Sequence, residues 1–283
     1  MPFALQLRAE RSRPMIRVVS GERESGYAIE LTGVVKRFGA ERGLDGVDLS
    51  VPRGAITVLL GPSGAGKTVT INHIVGLVQP SAGTVEVEGR DLATTSDIEL
   101  NELRRRMAVA HQGNQPFTCG LFFSLNVYEN VASPLRARMP RWPEDRIRQV
   151  TIDHLEMVGL GDRAGDLPDV LSSGMRKRAA LARALALEAR IVIIDDFDSG
   201  IDNVRLALLC DLIKDIQARN AATFLVTTHD MAAARQLADY AAVIHAGRIV
   251  VSGPAEAVFA STEPLVAQLI AGELSGPIQL SST

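Results

Sequence analysis

The sequence predicts an α/β fold built on a largely parallel sheet. Two observations carry that expectation. Short runs rich in aliphatic and β-branched residues alternate with stretches of helical spacing. In addition, two of the apolar runs end abruptly, Ile56–Leu60 at Gly61 and Ile191–Ile194 at Asp195 and Asp196, as buried strands do when they feed a turn. From Tyr27 the chain begins with β-branched runs parted by glycines. After the strand Ile56–Leu60, Lys67–Val78 has helical spacing with Ile71, Ile74 and Leu77 on one stripe, and Pro80 is expected to stop it. Ser81-Ala82-Gly83 reads as a turn into a strand over Thr84–Glu88, and Met107–His111 is a further strand. The pattern then turns helical and polar until Asp169, with an amphipathic helix over Pro143–Gly159. Strands resume at Ile191–Ile194 and Thr223–Thr227. The expected organisation is a basic leader over 1–26, expected to be mobile, an α/β domain over 27–253 with a helical insert at about 112–170, and a C-terminal extension over 254–283.

Composition narrows the function classes. A chain of 283 residues with 46% hydrophobic content can bury a full core, which excludes a disulfide-stapled miniprotein and a disordered tail. The formal net charge of −3 gives no global reason to hold a polyanion, so nucleic acid is not an expected partner. The basic clusters Arg104–Arg106 and Arg176–Arg178 are read as solvated faces or contacts at a subunit seam. Cys119 and Cys210 lie far apart without metal-ligand spacing and read as ordinary thiols of a reducing compartment, so the chain is expected in the cytoplasm. No stretch approaches the roughly 20 apolar residues that span a bilayer. The leader carries Arg8, Arg11, Arg13, Arg17 and Arg23 but no apolar core of a secretory signal.

The chemistry is carried by a loop and a strand end. Gly61-Pro62-Ser63-Gly64-Ala65-Gly66-Lys67-Thr68 matches G-x-x-x-x-G-K-[ST] in full, directly after a strand and opening a helix. In that context the glycines let backbone N–H groups turn inward around a phosphate, the helix N-terminus adds its positive end, Lys67 spans two phosphates and Thr68 ligates Mg²⁺. The second half of such a site is a hydrophobic strand ending in a carboxylate. Asp195 would hold the metal's water shell and Asp196 would orient the attacking water.

Loop and strand alone define only a broad class of P-loop NTPase. Leu171-Ser172-Ser173-Gly174-Met175, followed by the helical run Arg176–Glu188, resembles the signature motif of ABC (ATP-binding cassette) ATPases. The resemblance implies a P-loop NTPase, RecA-like core with an antiparallel β subdomain and an inserted α-helical subdomain. It also implies a site split between two subunits. Ser172 and the backbone N–H of Gly174, at a helix N-terminus, would complete the γ-phosphate cage of the partner's ATP. The other family positions follow in order. Phe38 matches the aromatic that stacks on adenine, and Gln112 the glutamine that touches Mg²⁺ and the attacking water. Asp202, in Ser199-Gly-Ile-Asp202, matches the aspartate loop across the dimer seam, and His229 the histidine that contacts γ-phosphate.

The implied protein is the ATP-hydrolysing subunit of a membrane transporter, binding ATP and Mg²⁺. It would work as a homodimer, or paired with a related ATPase, on the inner face of the membrane beneath transmembrane permease subunits. Within the superfamily, Ser124–Arg136, Ser173–Ala184 and Thr262–Gly272 with Gly276-Pro277-Ile278 resemble the ATPases of Mce and Mla lipid importers, the actinobacterial Mce branch above all. A small-solute importer, for a polar amino acid, is the alternative. An apolar cluster of Phe117, Leu121, Phe122 and Phe123 is expected to be exposed for docking a permease.

Three positions depart from the family pattern. Asp196 stands where most members have glutamate, one methylene longer, which predicts slow hydrolysis with near-normal ATP binding. Ser173 replaces a glycine, which is expected to bring the backbone close to the nucleotide. Phe197 replaces a proline and is expected to loosen the aspartate loop. These departures keep open a subunit that binds ATP but turns it over poorly. A chromosome-maintenance head is a poorer fit, since the interval from Lys67 to Ser172 leaves no room for long coiled coils, and translation cassettes carry two copies per chain.

Overall fold

The computed structural model describes residues 26–39, 41–110, 121–198, 200–273 and 276–277. Residues 1–25 of the expected leader, His111, Gln112, Phe117, Cys119, Ser199 and Ile278 lie outside the described residues.

Two sheets form the molecule. The first is antiparallel, in the order β2-β1-β4-β5, with β1 at Tyr27–Phe38, β2 at Glu41–Pro52, β4 at Ala82–Val87 and β5 at Arg90–Asp91. The second has six strands in the order β10-β9-β3-β8-β7-β6. Within it β3 (Ile56–Leu60), β6 (Met107–Ala110), β7 (Ile191–Ile194), β8 (Thr223–Thr227) and β9 (Tyr240–His245) run parallel, and β10 (Arg248–Pro254) closes one edge antiparallel to β9. Strands β3, β7 and β8 are buried along their whole length, as expected of a parallel sheet covered on both faces.

The alternation of side chains along these strands divides the core in two. Val58, Val192, Ile194, Phe224 and Val226 point into one cluster with helices α5 (Ser173–Ala186) and α6 (Asn203–Asn220). Leu59, Ile191, Ile193 and Leu225 point into a second cluster with the antiparallel sheet and α1 (Lys67–Ile74). The phosphate loop is thereby wedged where the two sheets meet. Helices α3 (Val127–Arg138) and α4 (Glu144–Met157) stack on α5, away from the antiparallel sheet. Helix α2 (Asp97–Arg105) precedes β6 and starts with a capping box in which the Ser96 hydroxyl and the Glu99 side chain satisfy each other's backbone N–H. Helix α7 (Met231–Leu237) follows β8, and α8 (Ala255–Phe259) and α9 (Pro264–Ala271) cover the sheet edge, burying Val258 and Val266 in the first core cluster.

Boundaries differ from expectation where turn chemistry intervenes. Helix α1 stops at Ile74 rather than reaching Val78, because Gly76 takes a left-handed φ of 70° and its N–H bonds to the His73 carbonyl, ending the helix before Pro80 can act. The freed carbonyls of Val75 and Gly76 accept from Arg104. Strand β4 ends at Val87, since Glu88 and Gly89 both take positive φ and form the two-residue turn to β5. Helix α4 begins after Pro143, which serves as its N-cap. Among the described residues, no helix is long and apolar enough to cross a membrane.

Candidate functional site

The phosphate loop leaves β3 at Leu60 and closes on α1 at Lys67. Its glycines are required by space as well as by dihedral angle. A Cβ on Gly61 would overlap the Ile244 carbonyl oxygen, and Gly66, at φ 112°, lies against Leu44 and Gly43. Gly64 also has a left-handed φ of 76°. Pro62 and Ala65 clamp the loop through an Ala65 N–H to Pro62 carbonyl bond of 3.2 Å, and the Ala65 carbonyl accepts from Gly247 at 2.9 Å. Ser63 and Gly64 stay exposed at the tip. The first turn of α1 holds no acidic residue, so its positive end faces outward without internal neutralisation.

Lys67 is buried, and its Nζ donates to the carbonyls of Gly61 at 2.7 Å and Pro62 at 3.0 Å. Burial lowers the pKa of this ammonium, and the nearby carboxylates of Asp195, Asp196 and Asp198 offset part of that effect.

The acidic strand end meets the loop at Thr68. The Thr68 hydroxyl donates to Asp195 Oδ2 at 2.8 Å, and the Thr227 hydroxyl, from the end of β8, donates to Asp195 Oδ1 at 2.7 Å. The donor set fits Mg²⁺: a carboxylate and a hydroxyl are hard oxygen ligands, and this ion takes one or two protein oxygens together with substrate phosphates. Among the described residues no group of three or more His, Cys, Asp or Glu could form an all-protein metal cage.

Asp196 sits at a left-handed φ of 59°, a conformation aspartate tolerates better than most side chains. Its N–H bonds to the Thr227 hydroxyl at 2.8 Å, and its Oδ2 pairs with Lys177 Nζ of α5 at 3.0 Å. Phe197 does not loosen the following loop. Its N–H donates to the Thr227 carbonyl at 2.9 Å, a bond proline could not make, and its ring is buried in the core. Asp198 Oδ1 then accepts from the Thr228 hydroxyl at 2.6 Å and from the His229 N–H at 3.0 Å, so the loop after β7 is fastened to the end of β8. The His229 residue itself is exposed.

At the other end of α5, Ser172 is the N-cap and its hydroxyl accepts from the Met175 N–H at 3.2 Å. Leu171 is buried, Met175 packs on the core, and Ser173 is exposed on the first helical turn, where its side chain meets no conformational demand for glycine. The position that needs glycine is Gly174: a Cβ there would lie 2.9 Å from the carbonyl oxygen of Gly200. Signature and aspartate loop of one chain are therefore packed backbone against backbone. Asp202 caps α6 through the Arg205 N–H at 3.0 Å, a bond that holds its carboxyl below the usual carboxylate range.

The basic run on α5 is structural rather than solvated: Arg176 donates to the Leu171 carbonyl at 2.6 Å, and Arg178 to the Val158 carbonyl at 2.6 Å. Phe38, at the end of β1, is half exposed, with its ring against Gly43 and Lys36 Nζ 5.5 Å from the ring centre. Gln112 lies outside the described residues. Of the docking cluster, Phe122 and Phe123 are exposed while Leu121 is buried. Asn130, fully buried, holds that segment by accepting from the Phe122 N–H and donating to the carbonyls of Phe122, Leu125 and Asn126.

Hydrogen bonds and ion pairs thus link Thr68, Asp195, Thr227, Asp196 and Lys177 into one array. Among the described residues no hydrogen bond joins 171–175 to the phosphate loop of the same chain. Lys177, Asp198, Thr227 and Thr228 were missed by sequence reasoning, and nothing local in the sequence marks them, because their partners lie 19–32 positions away.

Comparisons with known proteins agree with this arrangement. The family model described as ABC transporter matches residues 44–199. The "Probable ribonucleotide transport ATP-binding protein mkl" of Mycobacterium leprae is 41% identical over 261 residues, covering 92% of this chain and 74% of that protein. The intermembrane phospholipid transport system ATP-binding protein MlaF of Haemophilus influenzae is 34% identical, covering 89% and 93%. The methionine import ATP-binding protein MetN of Leifsonia xyli is 36% identical, covering 86% and 71%. Among solved structures, the dimeric ATP-binding cassette MJ0796 with ADP and Pi superposes with a TM-score of 0.72 at 26% identity, covering 80% of this chain and 98% of that one. With its phosphate loop, acidic strand and capped signature helix in one frame, the chain belongs to the ABC transporter family and is the ATPase subunit of a transport system.

Proposed function

We propose that two nucleotide-binding subunits, this chain with a second copy or a close relative, sandwich ATP on the inner face of a membrane and drive a lipid-importing permease of the Mce or Mla type. The observation that carries the catalytic half is the Thr68–Asp195 contact, which brings two hard oxygen ligands, the loop hydroxyl and the strand-end carboxylate, to 2.8 Å of each other. Lys67 and the loop N–H groups, with the positive end of α1, bind the β- and γ-phosphates. Thr68 and Asp195, with Gln112, would hold Mg²⁺, whose charge offsets that of the phosphates. Phe38 offers an open ring for the adenine. Asp196 orients the attacking water, and His229 contacts the γ-phosphate. Ser172 and Gly174, with Asp202 beside them, face the partner's nucleotide.

Lipid as cargo is supported by the resemblance of 124–136, 173–184 and the tail to Mce and Mla ATPases and by the 34% identity to a phospholipid-system ATPase. The second reading, an amino acid importer, draws on the 36% identity to a methionine-import ATPase. Phe122 and Phe123, held out by Asn130, provide the surface for the permease.

The test is co-purification of the tagged chain from its own membranes. Permeases accompanied by lipid-binding partners, lipid uptake, and ATPase activity lost in Lys67→Ala support the proposal. Solute-type permeases would move the assignment to the second reading, and ATPase activity that survives Lys67→Ala would refute the site.

A further inference from the structure

The geometry points to Lys177 as a positioning residue for Asp196, one that ties this chain's water-orienting carboxylate to its own signature helix. The inference rests on the reading of Asp196 given above and adds what sets its direction. The backbone of Asp196 is already fixed by the Thr227 hydroxyl and by the left-handed turn. What remains free is the side chain, and Lys177 Nζ takes one of its two oxygens at 3.0 Å. The other, Oδ1, is the one that would then face the attacking water. Both side chains are mostly shielded, at 25% and 21% exposure, and line a small cleft with Ala110, Asp195, Phe197 and Ile201. For a carboxylate one methylene short of glutamate, aim matters more than for a longer arm that can search, because a misplacement of about 1 Å can cost on the order of 10²-fold.

The anchor's location gives it a second consequence. Lys177 stands one turn beyond Gly174 on α5, whose first turn is pressed against Gly200 and whose later residues are buried. A rigid helix therefore carries both the signature that meets the partner's nucleotide and the arm that aims Asp196 at this chain's own nucleotide.

An ordinary surface ion pair would contribute little to stability and nothing to rate, and the following experiment separates the two. In the complex with its membrane partners, Lys177→Met, which keeps length and removes charge, is expected to lower kcat at least about tenfold while the KM for ATP stays within about twofold. Lys177→Arg should retain most of the activity. In an Asp196→Asn background, Lys177→Met should add no further loss. Unchanged kcat, a loss confined to KM, or a loss that adds fully to that of Asp196→Asn would overturn the inference. Crystal structures of the parent and Lys177→Met with bound ATP give a readout independent of turnover. A carboxylate in the same place in both refutes the role of Lys177, whereas a parent that binds ATP without hydrolysing it refutes the catalytic reading of Asp196 and leaves the crystallographic comparison to decide on Lys177.

Discussion

Lengthening Asp196 to glutamate is the sharpest probe of the site. The backbone at this position cannot retreat to absorb the extra methylene: the Asp196 N–H is held by the Thr227 hydroxyl at 2.8 Å and the Phe197 N–H by the Thr227 carbonyl at 2.9 Å. The addition must therefore appear at the tip and carry the carboxylate about 1.5 Å forward, while Lys177, on a flexible stem, can follow it. If a misplacement of about 1 Å costs on the order of 10²-fold, Asp196→Glu should raise kcat by about 10- to 100-fold, a lowering of the barrier by about 1.4 to 2.7 kcal/mol. The cost falls on folding, since glutamate takes the left-handed φ of 59° less readily than aspartate, by a fraction of the roughly 1–2 kcal/mol that this conformation carries. The assay is steady-state phosphate release at saturating and limiting ATP, with nucleotide binding followed separately. A kcat equal to the parent's, with ATP bound equally well and the fold intact, would show that the shorter arm does not limit turnover.

Further expectations follow from the same contacts. Gly174→Ala places a methyl group 2.9 Å from the Gly200 carbonyl oxygen and should reduce ATPase activity at least about tenfold by parting signature and aspartate loop, whereas Ser173→Gly should stay within about threefold of the parent. Phe197→Pro removes the N–H that Thr227 accepts and empties a buried site. It should cost about 3–5 kcal/mol and lower Tm by on the order of 10 °C, read by thermal melting, and an unchanged Tm would refute the anchoring role. Phe122→Asp should release the subunit from its permease in co-purification while ATP binding persists, and retained assembly would count against docking at this surface. Burial lowers the pKa of both His73 and His154, each of which donates Nδ1–H to a carbonyl one turn back. A folded pKa below the unfolded one means that the unfolded chain binds more protons, so stability should fall as pH drops through about 6.5 and below. Melting curves between pH 7.5 and 5.5 should show that fall, and His73→Gln with His154→Gln should flatten it.

The sequence was most informative where chemistry is local. Gly61–Thr68 is contiguous, so its spacing alone implied a loop whose space and dihedral angles demand glycine, as Gly61 and Gly66 bear out. Ile191–Asp196 was legible for the same reason: four buried aliphatics end at two carboxylates within one strand and turn. The alternation of strands and helices implied the parallel sheet, and glycine turns after Tyr27 were compatible with the antiparallel one. Local reasoning failed at α1, where Gly76 ends the helix before Pro80, and at Phe197, where comparison with proline hid the bond that its N–H makes.

What the sequence by itself determined is the phosphate-loop pattern and the acidic strand end, because both are specified by neighbours along the chain. Which way those groups point was decided by tertiary structure. Lys177 meets Asp196 across 19 positions, Thr227 meets Asp195 across 32, and Gly174 needs its missing Cβ only because Gly200 arrives from another loop. Such pairings come from packing helices on a twisted sheet, so they depend on the whole core being formed and leave no periodic or spacing signal in the chain.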